Sequence, residues 1–183
     1  MSNTTSFKLL PRQIDPRKFA QQGIELSGSL PLAELLRLQE LLVCEGDEEV
    51  VVNLVFGIDE QRQRNLTGHA SVNTKMVCQR CLEPVSVTLD CQFALAIIWS
   101  EDNVNGLPKS WDPWIVGEGP TDIYQVIEDE LLLILPMVAY HSEPCVPQTL
   151  FSSGDAANSG QQARSDSGNA NPFQVLEQLK KDR

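Results

Sequence analysis

Two consecutive stretches hold a two-residue alternation long enough to fix a pair of neighbouring strands, and no other feature limits the fold as strongly. In the first, Leu66, Ala70, Val72, Thr74 and Met76 alternate with Thr67, His69, Ser71, Asn73 and Lys75. In the second, Val85, Val87, Leu89, Cys91, Phe93, Leu95, Ile97 and Trp99 alternate with Ser86, Thr88, Asp90 and Gln92. One buried and one wet face is the mark of an antiparallel sheet covered on a single side; parallel sheets are buried on both. The connecting turn is Cys78-Gln79-Arg80-Cys81-Leu82-Glu83-Pro84.

The remaining pattern predicts an α+β fold: an antiparallel, twisted sheet, open to curling toward a barrel, with two main helices packed near it. After an irregular opening, Gln22 to Leu30 reads as a short strand, and Pro31 at a first helical position starts a helix through Leu42. Val50 to Ile58 reads as a strand with Val52, Leu54, Phe56 and Ile58 on one side. Residues 100–120 form a loop tied down by Trp111 and Trp114, and Thr121 caps a second helix that Pro136 stops near Leu135. One domain is expected over 1–147. From Gln148 to Asn171, 20 of 24 residues are Ser, Gly, Asn, Ala, Gln or Asp, a composition that cannot offset its ordering entropy, so 148–171 reads as a disordered linker. Residues 172–183 read as a short amphipathic helix with Phe173, Val175, Leu176 and Leu179 apolar.

Charge narrows the function classes. The 183 residues carry 14 basic and 25 acidic side chains, net −11, so an electrostatic grip on nucleic-acid phosphates is a poor first reading and a basic partner a better one. The acidity concentrates between Glu101 and Glu143, where Lys109 is the only base among nine acids. Arg62, Arg64, Lys75 and Arg80 are the candidate RNA contacts, a small patch if they gather around one end of the strands. No stretch is apolar enough to span a membrane, and Met1 to Leu10 lacks a signal-peptide core, which reads as cytoplasmic.

Five cysteines in a chain without an export signal point to reduced thiols or a metal. Cys78 and Cys81 can present two sulfurs to one Zn²⁺, with His141 and Cys145 as the second ligand pair. The alternative is that these are ordinary small residues near a turn. Cys44 and Cys91 read as core. Glu128, Asp129 and Glu130, with Asp122 before them, invite a metal-dependent nuclease reading, but neighbouring helical carboxylates diverge by about 100°. A solvated or partner-facing acidic edge suits them better, and no catalytic residues are assigned.

Three stretches in order resemble the bacterial YceD family, the large ribosomal RNA subunit accumulation proteins. They are Val77 to Val85 with its two cysteines, Ile127 to Pro136 leading to His141 and Cys145, and Asn171-Pro172-Phe173 followed by Val175, Leu176, Leu179 and Lys180. The resemblance implies a role in the synthesis, processing or stability of large-subunit ribosomal RNA without an established enzymatic activity. Beside the acidic charge it suggests an adaptor that meets ribosomal proteins or assembly factors of the large subunit, with contact to the RNA direct or through them. On that reading, Glu128, Asp129, Glu130 and the tail positions Phe173, Leu176 and Leu179 engage partners. The competing readings are a metal-dependent RNA-processing nuclease and a structural zinc module.

Overall fold

The computed structural model describes residues 8–44 and 46–147. The linker at 148–171, the helix at 172–183 and its Phe173, Leu176 and Leu179 lie outside the described residues. The elements run β1 (Gln13–Ile14), α1 (Pro16–Gln22), β2 (Glu25–Pro31), a 3-10 turn (Leu32–Glu34), α2 (Leu36–Gln39), β3 (Glu49–Ile58), β4 (Arg64–Val77) and β5 (Pro84–Ile98). A second 3-10 turn (Glu101–Gly106), β6 (Asp112–Ile115), β7 (Thr121–Asp122) and α3 (Ile123–Leu133) follow. These elements fall within one compact unit that ends at Val146.

The main sheet has the order β2-β3-β4-β5-β6 and stays open, so the option of a closed barrel is not realised. β2 to β5 pair antiparallel, with Val72 opposite Leu89 and Ala70 opposite Cys91. The predicted alternation holds along β5: Leu89, Cys91, Phe93, Leu95 and Ile97 are buried while Ser86, Thr88, Asp90 and Gln92 are exposed. At the far end of β5 the rule breaks, because Ala96 and Ile98 are buried as well. There β6 pairs in parallel, Leu95 opposite Asp112, within the stretch expected to be loop. Trp99 was expected inward, but the strand ends at Ile98 and the indole is 39% exposed. Ile58, at the open end of β3, is also exposed.

Two glycines mark close approaches. The Phe93 ring lies on Gly68 of the paired strand, where a Cβ would overlap it. Lys8 to Leu10 crosses Gly28 so closely that the Lys8 carbonyl takes the place of a side chain, and Ser29 N–H donates to that carbonyl at 3.1 Å. The outer edge of β2 is thereby covered.

The helices depart most from the sequence reading. The opening is not irregular: Asp15 caps α1, accepting from the N–H groups of Arg17 and Lys18, and Gly23 ends it in the left-handed conformation. Phe19 on α1 meets Phe56 of β3 edge to face at 5.4 Å, anchoring the helix to the core. The long helix predicted from Pro31 to Leu42 is broken at Leu35, with φ −98° and ψ 80°, into the 3-10 turn and the single turn α2. Leu32, Leu35 and Leu38 are buried at three-residue spacing while Leu36 and Leu41 face water. α3 is capped by Asp122, which accepts from Tyr124 N–H at 2.9 Å. Thr121, the expected cap, instead pairs with Ile14 between β7 and β1. Ile123, Ile127 and Leu131 of α3 are fully buried, one turn apart, and Tyr124 O–H donates to the Leu10 carbonyl at 2.9 Å.

Candidate metal centre

β4 runs past the core and hands its last residues to a tight turn. Cys78 N–H donates to the Glu83 carbonyl and Leu82 N–H to the Cys78 carbonyl, each at 2.9 Å, which closes the turn with Leu82 in the left-handed region at φ 64°. α3 ends at Leu133, two residues earlier than the sequence suggests, and the strap that follows Pro136 comes back alongside this turn. Cys78 forms a parallel bridge with Ala139, and Gln79 N–H donates to the Ala139 carbonyl at 2.9 Å. Arg80 reaches over the strap, donating to the His141 and Glu143 carbonyls and lying 5.2 Å from the centre of the Tyr140 ring. Backbone pairing and one arginine thus dock residues 139–145 on the turn.

The docking brings Cys78, Cys81, His141 and Cys145 together, with one ligand atom from each lying within 4.8 Å of all the others. The Cys78 and Cys145 sulfurs are 3.7 Å apart, and the Cys81 sulfur lies 3.4 Å from His141 Nδ1. Around a tetrahedral zinc with bonds of about 2.3 Å to sulfur and about 2.05 Å to nitrogen, those separations come to about 3.8 Å and about 3.6 Å. A disulfide would need about 2 Å, so the four side chains are spaced for an ion and not for a covalent bridge. His141 Nε2 lies 3.2 Å from the Pro84 carbonyl, so Nε2 carries the proton and Nδ1 presents its lone pair to the sulfurs. Cys78 is fully buried. Burial pushes its thiol up, but the N–H groups of Cys81, Arg80 and His141 and the Cys81 side chain outweigh this and lower it to about 5. Burial and the neighbouring sulfurs push Cys145 the other way. The group can hold a metal ion.

A family profile described as "Large ribosomal RNA subunit accumulation protein YceD" matches residues 66–180, which begin within β4 and include all four of these side chains. A Haemophilus influenzae protein described in the same words is 34% identical over 134 residues, covering 73% of this chain and 76% of its own length. The chain belongs to the YceD family. The resemblance read from the ordered set of motifs therefore holds over most of the sequence. No solved structure matches the chain.

The other residues singled out from sequence separate into distinct places in this YceD-family chain. Glu128 is buried and turned inward: Oε1 accepts from Arg37 N–H at 2.8 Å and Leu38 N–H at 3.2 Å, and Oε2 from Arg37 Nε at 2.8 Å. It caps α2 from another helix. Asp129 is exposed and paired with Arg37 at 2.6 Å. Glu130 is half-buried; burial raises its carboxyl, helped by Asp112 and Asp129. The four basic candidates do not gather at one end. Arg62 precedes β4 and Arg64 opens it, whereas Lys75 lies near its other end, roughly 35 Å along the strand at about 3.3 Å per residue, with Arg80 in the turn beyond. Cys91 is buried and Cys44 partly so, both packed with the core, and burial raises both thiols. Among the described residues no helix is long and apolar enough to cross a membrane.

Proposed function

We propose that this protein supports the accumulation of large-subunit ribosomal RNA as a non-enzymatic adaptor in the cytoplasm, built on a domain whose strap is stapled by zinc. The observation that carries the ribosomal part is the family match over residues 66–180, together with the printed description of the relative. The adaptor part rests on charge. Glu101, Asp102, Asp112, Glu118, Asp129 and Glu143 are all exposed, a surface suited to basic ribosomal proteins or assembly factors of the large subunit. Ribosomal RNA is reached beside or through them.

Zinc is the natural occupant of three sulfurs and one imidazole at these distances, and a closed set of four protein ligands is the structural type, with no position left open for substrate. A nuclease working through Glu128 and Glu130 is disfavoured, since both Glu128 oxygens already accept hydrogen bonds inside the protein.

The test is the ratio of large- to small-subunit ribosomal RNA in cells depleted of the protein and complemented with the full chain. A selective loss of the large-subunit species, restored on complementation, supports the reading, and an unchanged ratio overturns it. Pull-down with and without residues 148–183 examines the adaptor: recovery of ribosomal proteins that does not depend on the tail removes Phe173, Leu176 and Leu179 from the interface.

A further inference from the structure

At the end of the sheet remote from the cysteines, the arginines are used differently from Arg12 and Arg37. Arg12 pairs with Asp122 and Glu34, and Arg37 with Glu128 and Asp129. Among the described residues, no carboxylate pairs with Arg17, Arg62 or Arg64. Arg17 and Arg64 instead face one indole: their guanidinium carbons lie 4.0 Å and 5.6 Å from the centre of the Trp99 ring. In both, Nε is shut off from solvent and has no hydrogen-bond partner. Among the described residues, the one side-chain hydrogen bond Arg17 makes is a long one, 3.4 Å to the Gly117 carbonyl.

Beside this stack lies a cleft of about 400 Å³ lined by Arg62, Arg64, Trp99, Asp102 and Asn103. Arg62 occupies a left-handed position, φ 64°, in the turn held by Asp59, where a glycine would sit with less strain. We propose that this cleft binds single-stranded RNA, with Arg62 and Arg64 on phosphate oxygens and the Arg17–Trp99–Arg64 stack as the planar platform beside the bases. Stacking on the indole fixes the guanidinium planes in advance, so their edge N–H groups are set for an oxyanion without further ordering. Planar cations and an aromatic ring together suit unpaired bases on a charged backbone. Asp102 in the cleft and Asp59, Glu60 and Glu101 around it oppose the anion and hold the affinity down. The choice of RNA over an acidic peptide rests on the ribosomal reading above; the site rests on the arginines and Trp99.

The test is fluorescence anisotropy of a labelled oligouridylate of about 15 nucleotides with the zinc-loaded full chain, titrated at several salt concentrations. Two to three phosphate contacts on a single strand predict a slope of about −1.4 to −2.1 in log affinity against log salt. The Arg62→Gln, Arg64→Gln double variant should lose at least about tenfold in affinity at low salt and flatten that slope. Asp102→Asn, on an exposed turn where folding is not at risk, should tighten binding. An oligouridylate that does not bind at low salt, or binds the double variant with unchanged affinity and slope, overturns the site. A polyglutamate peptide that competes as well as RNA overturns the choice of ligand. Because the readout uses purified protein and RNA, failure here leaves the cellular ribosomal RNA ratio standing as a separate result.

Discussion

At Glu128 the chain closes a separation of 91 residues with atoms it supplies itself; at the β4–β5 turn it gathers four metal-capable side chains within 4.8 Å of one another. The first arrangement is complete. A carboxylate has acceptor positions to spare, and α2 has unpaired N–H groups at its start, so each satisfies the other and Arg37 balances the charge. The second is joined within the protein only by weak sulfur contacts, Cys78 to Cys145 at 3.7 Å and Cys81 to His141 Nδ1 at 3.4 Å, and we propose that a bound zinc completes it. With zinc as the proposed occupant, the two staples answer to different controls, one to mutation alone and one to metal supply.

The sharpest way to break this contrast is to take the metal away. Structural zinc sites in finger peptides carry apparent binding free energies of about 10–16 kcal/mol, so chelation or Cys78→Ser should release the strap outright. Hydrogen exchange is the measurement: the Gln79 amide and residues 139–145 lose protection, while β3 and α3 keep theirs. Elemental analysis of untagged protein should give one zinc per chain, falling to a small fraction in Cys78→Ser. Glu128→Ala is the next largest, about 3 kcal/mol in urea unfolding, since it uncaps α2 and strands the buried Leu38 N–H and the part-buried Arg37 N–H. That loss should be the same with and without chelator, and a chelator-dependent loss would mean the two staples are coupled.

His141→Cys sharpens the comparison from the other side. A fourth thiolate preserves a closed tetrahedral set, so zinc stays bound, and the cost is the contact with the Pro84 carbonyl, about 1 kcal/mol. The smallest effect is expected at Glu130. Burial raises its carboxyl in the folded state, so the ionised form costs stability at neutral pH, and wild-type stability recovers as pH falls through the raised value. Glu130→Gln removes that dependence and gains under about 1 kcal/mol at pH 7. The check is the difference in urea midpoint between neutral and mildly acidic buffer, which should shrink in the variant.

How much of this was legible in the sequence depends on where the deciding partner lies. α1 was legible and missed: Asp15-Pro16 before it and Gly23 after it are the expected start and stop residues, but seven residues are too few to show a periodicity. α2 was read too long because Leu32, Leu35, Leu36, Leu38, Leu41 and Leu42 fit a helical face, and the residue that breaks and caps it, Glu128, is far along the chain. β6 was hidden because four residues with a proline carry no alternation. The four metal-capable side chains were identified as a group from residue type, while the split of Arg62 and Arg64 from Lys75 and Arg80 needed the length of β4 as one uninterrupted strand.

The sequence by itself determined the β4–β5 pair, the single covered face along most of it and the identity of the four metal-capable side chains, because each is a matter of local periodicity or side-chain chemistry. Only the tertiary structure decided that the strap returns beside Cys78, that Glu128 faces inward and that Arg17 stacks on Trp99. Each of these joins residues more than 60 positions apart, and at that distance the closing of the chain, not any local preference, selects the partner.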